Sequence, residues 1–376
     1  MTKGAIYCDY NAGAPVRAEA AVALSRALAM GGNASSVHGF GRRARAQIED
    51  AREKIAAMAE AQADNVVFTS GATEALHLAL ASAGAASTIV SAVEHDAVYE
   101  HATRALGCTR LASVDAGGVV RLDALAALLL GAPKPALVAV QLANNETGIV
   151  QPISKIAALC REHGALLLVD AAQAFGRVRV GIAELDAAYL VVSSHKLGGP
   201  PGAGALMLAP GAPFVSMRFG GGQERGRRPG TENMAAIAGF AVAAEWATRE
   251  MEDESRRLAA MRDRFESKLP KDAVVFGADT QRLPNTSNFA LPGVSAETAV
   301  IAMDLEGVAI SSGAACSSGK VRSSRVLAAM GVTPSLARSA LRVSFGHESM
   351  ESDVGVALAA LHKIAARRRA LEGAPL

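Results

Sequence analysis

The sequence predicts an α/β protein, with a mostly parallel sheet covered by helices and a smaller α+β unit behind it. Two observations carry that expectation. Short, strongly apolar runs alternate with Ala-rich stretches of helical length, the pattern of strands buried on both faces by crossover helices. The alternation then stops at a long helical stretch from residue 236 to 269, and 376 residues is a common length for two domains.

The apolar runs lie at residues 65–69, 87–91, 136–142, 165–170 and 187–192, each ending in a polar or glycine-bearing turn. Ligands of such sheets gather at the carboxyl ends of the strands, so the residues just beyond each run are the candidates for chemistry. The 236–269 stretch carries a charged centre at 249–257, read as a solvated helix face. Shorter strand candidates follow at 273–276 and 341–345. The abundant alanine suits helices, since alanine is the strongest helix former.

Composition excludes several classes. Thirty-eight basic residues against 36 acidic ones leave a formal net charge of +2, no footprint for nucleic acid or an anionic membrane. No apolar run approaches the roughly 20 residues of a membrane span. The first residues lack a signal-peptide core, which predicts a cytoplasmic protein. Cys8, Cys108, Cys160 and Cys316 are widely spaced with no C-x-x-C pair, which predicts free thiols rather than a zinc site or a disulfide framework. The first three sit in apolar or ordinary surroundings. Cys316 sits in SSGAACSSG (residues 311–319), a small, polar, glycine-bearing stretch that favours a loop, where a thiol makes a poor core residue and a good nucleophile.

Asp170 closes a strongly apolar strand, where an ionised carboxylate needs a partner. One more strand later comes SSHK (193–196), followed by turn glycines that can aim Lys196 into a cleft. An acid and a lysine on adjacent strand ends are the two groups that pyridoxal phosphate requires. The lysine bonds to its aldehyde, and the carboxylate keeps its ring nitrogen protonated. Other strand ends offer matching parts. TSGATE (69–74) opens a helix whose free amides and Thr73 hydroxyl suit a phosphate, although an ordinary N-cap by Ser70 or Thr73 reads equally well. His95 follows another strand and is placed to lie over the ring. Asn145 and Gln173 are placed to hydrogen-bond its oxygen.

With those motifs in order, the chain resembles the cysteine desulfurases of the class V aminotransferase group, fold-type I pyridoxal-phosphate enzymes. The resemblance is collinear through YCDYNA (7–12), GNASSVH (32–38), TSGATE, Glu94-His95, NNETG (144–148), Val169-Asp170, SSHK, GGGQERG (220–226), RPGTEN (228–233), SSGAACSSG and LRVSFG (341–346). It implies a large domain with a mostly parallel seven-stranded sheet over residues 15–250. It implies a smaller α+β domain from residues 1–14 and 251–376, bearing a mobile cysteine loop at about 311–334. By the same resemblance, Lys196, Cys316 and His95 are catalytic. Ala72, Thr73, Ser193 and His195 hold the phosphate, Asp170 the ring nitrogen, and Asn145 and Gln173 the ring oxygen. Asn145 and Arg342 hold the substrate carboxylate, the arginine through its two-pronged fork. Thr231 reaches the phosphate of a partner subunit, which implies a homodimer. No metal is implied. The implied reaction converts L-cysteine to L-alanine and leaves a persulfide on Cys316 for a sulfur-accepting protein such as an iron–sulfur scaffold. A selenocysteine lyase or a small-amino-acid transaminase of the same fold is the alternative, and the transaminase has no use for Cys316. Three departures from the family pattern stand out: NAGAP (11–15), Pro201 in place of a common lysine, and Arg325 after Ser323-Ser324.

Overall fold

The computed structural model describes residues 5–105, 108–312 and 324–372. The chain opens with strand β1 (Ile6–Tyr7) and helices α1 (Ala18–Met30) and α2 (Gly39–Met58). Strands and helices then alternate through β2 (Val66–Thr69), α3 (Ala72–Ser82), β3 (Ser87–Ser91), α4 (Asp96–Ala105), β4 (Thr109–Ala112), α5 (Leu122–Leu130), β5 (Ala136–Gln141), α6 (Ile153–Glu162) and β6 (Ala165–Asp170), before β7 (Tyr189–Ser193) and β8 (Gly204–Leu208). The long α7 (Met234–Ser267) leads to β9 (Val274–Val275), β10 (Thr286–Ala290), α8 (Ala296–Leu305) and β11 (Val308–Ala309). The short α9 (Arg325–Ala329) and α10 (Pro334–Ala337), then β12 (Ala340–Ser344) and α11 (Glu351–Glu372), complete the described chain.

Seven strands form the large sheet, in the order β2-β8-β7-β6-β5-β3-β4. The five strands from β7 to β4 run parallel, whereas β8 pairs antiparallel with both β7 and β2. The apolar runs became strands because both faces are covered: Ile89, Val138, Val169 and Leu190 enter one buried cluster, and Val90, Leu137, Leu168 and Val191 the other. The alternation of side chains along each strand divides these residues between the faces. β4 and β8 were missed in the sequence. β4 reads TRLA, too polar for a buried run, and β8 is announced only by the glycines before it.

A second core gathers around Phe265, Phe289 and Phe345, whose rings meet edge to face at centroid distances of 5.6 and 6.1 Å. Its antiparallel sheet has the order β12-β10-β9, and β1 pairs with β11 beside it. Helix α7 serves both cores. It starts where the Asn233 side chain accepts the Ala236 amide at 3.1 Å. Its Ala-rich first half packs on the large sheet, and Leu258, Met261 and Phe265 face the second core. The segment expected as a loop at 311–334 is shorter than that at its carboxyl end. Ser324 caps α9 by accepting the Leu327 amide at 3.0 Å, and Val326, Leu327 and Met330 are buried against the large-sheet core. Cys316 lies outside the described residues.

The free edge of β2 is covered by a buried ion pair. Arg52, 1% exposed, donates to both oxygens of Glu224 at 2.7 and 2.8 Å and to the Val66 carbonyl at 2.8 Å. Glu224 in turn accepts the Phe68 amide of β2 at 2.8 Å. Removing one partner of such a pair leaves the other charge buried and bare. Arg52→Ala is expected to lower the unfolding free energy by about 3–5 kcal/mol in a urea titration; an unchanged transition midpoint would contradict the arrangement.

Candidate active site

Six strand ends of the large sheet face one cavity of about 440 Å³. The parallel register decides what meets there. Asp170 is the last residue of β6 and stands opposite Gln141 of β5 and Val191 of β7. The residue is 7% exposed, and its carboxylate accepts the Ala172 amide at 2.9 Å. Among the described residues no lysine or arginine forms an ion pair with it. Burial raises its proton affinity, and His95 and Lys196 pull the other way.

Lys196 ends a single helical turn after β7 and reaches the same cavity. Its amine donates to the Asn11 carbonyl at 2.7 Å and the Ala12 carbonyl at 3.0 Å. Burial, with Arg177 and Arg342 nearby, brings its ammonium down to about 8. Beside it the His195 Nδ1 meets the Ser193 hydroxyl at 3.0 Å, and burial lowers the His195 imidazole to about 4, so the ring is neutral. Ser193 itself is not on the cavity wall; it acts on His195.

The turn after β2 lines another side with Gly71, Ala72 and Thr73. Helix α3 begins at Ala72 with no side-chain cap, so neither Ser70 nor Thr73 caps it. Glu74 takes the Ser70 amide at 2.6 Å and leaves the following amides to an anion. Glu74 stays ionised: burial alone would raise it, but Arg228 and the Ser70 amide outweigh burial and hold it at about 2. A Cβ on Gly204 would sit 2.7 Å from the backbone of Gly71, so glycine lets β8 pass under this turn. His95 and Asn145 complete the wall. The His95 Nδ1 accepts the Ala97 amide at 3.0 Å. Behind it Glu94 is buried and takes the Gln141 amide at 2.9 Å; burial, reinforced by Asp170, pushes its carboxyl up to about 8.

Three expected residues sit differently from the simplest picture. Gln173 lines the cavity, but its oxygen accepts Arg177 at 2.6 Å and its nitrogen donates to the Asn11 carbonyl at 2.9 Å. Arg342 is buried on β12 and bonded to Asp9 at 2.6 Å and to the Asn145 carbonyl at 2.9 Å. Its Nε has no partner among the described residues. Thr231 is exposed and lies on a neighbouring cavity of about 210 Å³ that shares Ser70 and Gly202 with the first. Asp9, Asn11 and Arg177 were missed as site residues. Asp9 and Asn11 stood inside the quoted YCDYNA motif, but nothing local says that residues 9–12 fold over strand ends some 160 to 330 positions away. Arg177, half-buried and lowered to about 10 by desolvation and Arg342, carries no signal beyond being an arginine.

These residues fit pyridoxal phosphate. A buried carboxylate without a cation suits a protonated ring nitrogen, a buried amine of lowered proton affinity suits an aldehyde, and uncapped amides suit a phosphate. Residues 6–356 match the aminotransferase class-V family. The chain belongs to that family. Within it, the chain is 38% identical over a 383-residue alignment to a cysteine desulfurase IscS of Dictyoglomus turgidum, covering 98% of this chain and 96% of that one. A solved NifS-like protein from Rickettsia africae superposes with a TM-score of 0.89 at 30% identity, covering 96% of this chain and 99% of that one. A structure of SspA in complex with cysteine superposes at 0.77 and 26% identity, covering 90% of this chain and 98% of that one. Among the described residues of this class-V chain, no three His, Cys, Asp or Glu side chains are grouped to hold a metal, and no helix is long and apolar enough to cross a membrane.

Only the neutral amine attacks an aldehyde. In the cofactor-free protein the rate of imine formation at Lys196 is therefore expected to rise with pH and level off with a midpoint near 8. A midpoint near 10.5, that of an exposed lysine, would contradict the burial described.

Proposed function

We propose that this class-V protein is a cysteine desulfurase, converting L-cysteine to L-alanine and leaving the sulfur as a persulfide on Cys316. The observation that carries the reading is the pair Asp170 and Lys196 on one cavity wall, in a chain similar along nearly its whole length to proteins named cysteine desulfurases. The reaction balances as thiol plus cysteine giving persulfide plus alanine.

Pyridoxal phosphate, when bound, supplies an aldehyde for Lys196 and a ring that accepts the electron pair left on the substrate α-carbon. Asp170 would keep the proton on its ring nitrogen. The amides of Ala72 and Thr73, the Thr73 hydroxyl and His195, which Ser193 orients, would hold its phosphate. Asn145 and Gln173 would hydrogen-bond its ring oxygen, and His95 would contact the ring. Arg342, with Asn145, takes the carboxylate of cysteine, exchanging Asp9 for it. Lys196 takes the α-proton at Nζ, which its lowered proton affinity permits near neutral pH. The Cys316 thiolate then attacks the substrate sulfur. A sulfur–sulfur bond forms as the carbon–sulfur bond breaks, and the electron pair returns to the carbon skeleton that leaves as alanine. The persulfide passes to a protein acceptor, such as an iron–sulfur scaffold.

A homodimer belongs to the same reading. Both carboxylate oxygens of the buried Glu232 lack a hydrogen-bond partner among the described residues, beside the exposed Thr231. Phe219, 95% exposed, stands twelve residues before Thr231, with Met217 and Val215 also in the open. A second copy that covers this edge would bring Thr231 to its neighbour's phosphate. Free thiols at Cys8, Cys108 and Cys160 accord with a reducing cytoplasm.

Cys316→Ala is expected to keep the cofactor's visible absorption and to lose sulfide release from cysteine by at least about a hundredfold. Sulfide release at the unsubstituted rate would overturn the role of Cys316. Lys196→Ala is expected to lose alanine formation by a similar or larger factor while still binding the cofactor non-covalently, detected by its release on gel filtration; full turnover would rule the lysine out.

A further inference from the structure

We propose that Arg325 is a positioning residue for His95, clamping the turn that carries it to the helix that follows the Cys316 segment. The inference deepens the desulfurase reading and rests on it for the role of His95. Arg325 is the first residue of α9, and among the described residues its guanidinium meets four, all within 92–99. It donates to the Ala92 carbonyl at 2.8 Å and to the Glu94 carbonyl at 2.5 Å. It also pairs with Asp96 at 3.1 Å and lies 3.8 Å from the centroid of the Tyr99 ring. His95 is the residue between the two carbonyl-bearing positions and Asp96.

The carbonyls of this turn are divided between two directions. That of Val93 is taken from the sheet side, by Gln141 at 2.5 Å and Asn144 at 3.0 Å. Those of Ala92 and Glu94 are taken from the other side by Arg325. The only bond to the His95 ring among the described residues comes from within the turn, from Ala97, so it does not anchor the turn to anything else. Arg325 does, because α9 is itself fixed. The Ser324 hydroxyl donates to buried Glu146 at 2.5 Å, next to Asn145, and Val326 and Leu327 are packed in the core.

An exposed ion pair such as Arg325–Asp96 is worth little by itself. Charge-assisted bonds to two carbonyls of the turn just before His95 are different, because a planar fork fixes both directions at once. Lysine offers a point charge and meets only part of that demand.

The test compares Arg325→Gln and Arg325→Lys, alone and combined with His95→Ala, in a double-mutant cycle. Arg325→Gln is expected to slow alanine formation about tenfold in the unsubstituted background and less than about twofold when His95 is already alanine, with Arg325→Lys in between. Independently of turnover, amide hydrogen exchange across residues 92–97 is expected to quicken about tenfold in Arg325→Gln, with β3 and β5 unchanged. Equal losses in both backgrounds, or unchanged exchange in the turn, would overturn the proposal. If Arg325→Gln does not fold, Tyr99→Leu removes the surface under the guanidinium, and exchange in that variant and in Arg325→Lys decides the question. If the unsubstituted protein releases no alanine from cysteine, the desulfurase reading fails, and the exchange comparison still decides the clamp.

Discussion

Asp170 is a carboxylate at the tip of a buried parallel strand, with one backbone amide to hold it and no lysine or arginine in an ion pair with it among the described residues. Charges so placed are costly unless paired, and much of what surrounds the cavity follows from that cost. The sheet delivers Lys196 one strand away but keeps its amine on the carbonyls of Asn11 and Ala12 rather than on Asp170. Two opposite charges that would neutralise each other in a simple core are held apart by the backbone. A ring that carries a proton at one end and an aldehyde at the other fits between them.

The segment around Asn11 performs that separation. Its carbonyl accepts both Lys196 and Gln173, its side-chain oxygen accepts Arg177 at 2.8 Å, and its amide nitrogen reaches Thr286 at 2.9 Å in the second sheet. One residue near the start of the chain thus joins the large sheet, the second core and the reactive amine. Asp9, two residues earlier, occupies Arg342. That internal ion pair holds the buried Arg342 guanidinium in one orientation.

The described residues on either side of 313–323 are tied to the elements around the cavity. Before residues 313–323, Ser311 exchanges backbone hydrogen bonds with Arg342 at 2.7 and 3.1 Å. After them, Ser324 and Arg325 hold the turns of Asn145 and His95. Ser311 on one side and Ser324 and Arg325 on the other are thus fastened to Arg342 and to the turns that carry Asn145 and His95.

The strand runs at 87–91, 136–142 and 165–170 were legible because burial on both faces writes itself as continuous apolar sequence. The candidate residues beyond them were legible because chemistry gathers at strand ends. β8 was not legible, since a strand that follows a Gly-Pro turn and reverses direction leaves no periodic signal. The packing of α9 was not legible either, because a polar, glycine-bearing lead-in hides a five-residue helix whose burial depends on a distant core. By itself the sequence determined the fold class and named Asp170, Lys196 and His95, since local apolar patterning and turn chemistry are properties of neighbours in the chain. Only the tertiary structure decided that Asn11 would hold the lysine, Asp9 the arginine and Arg325 the histidine turn. Those contacts join residues separated by roughly 180 to 330 positions, and hydrogen bonds at that separation are set by how the sheets pack and not by any short stretch of sequence.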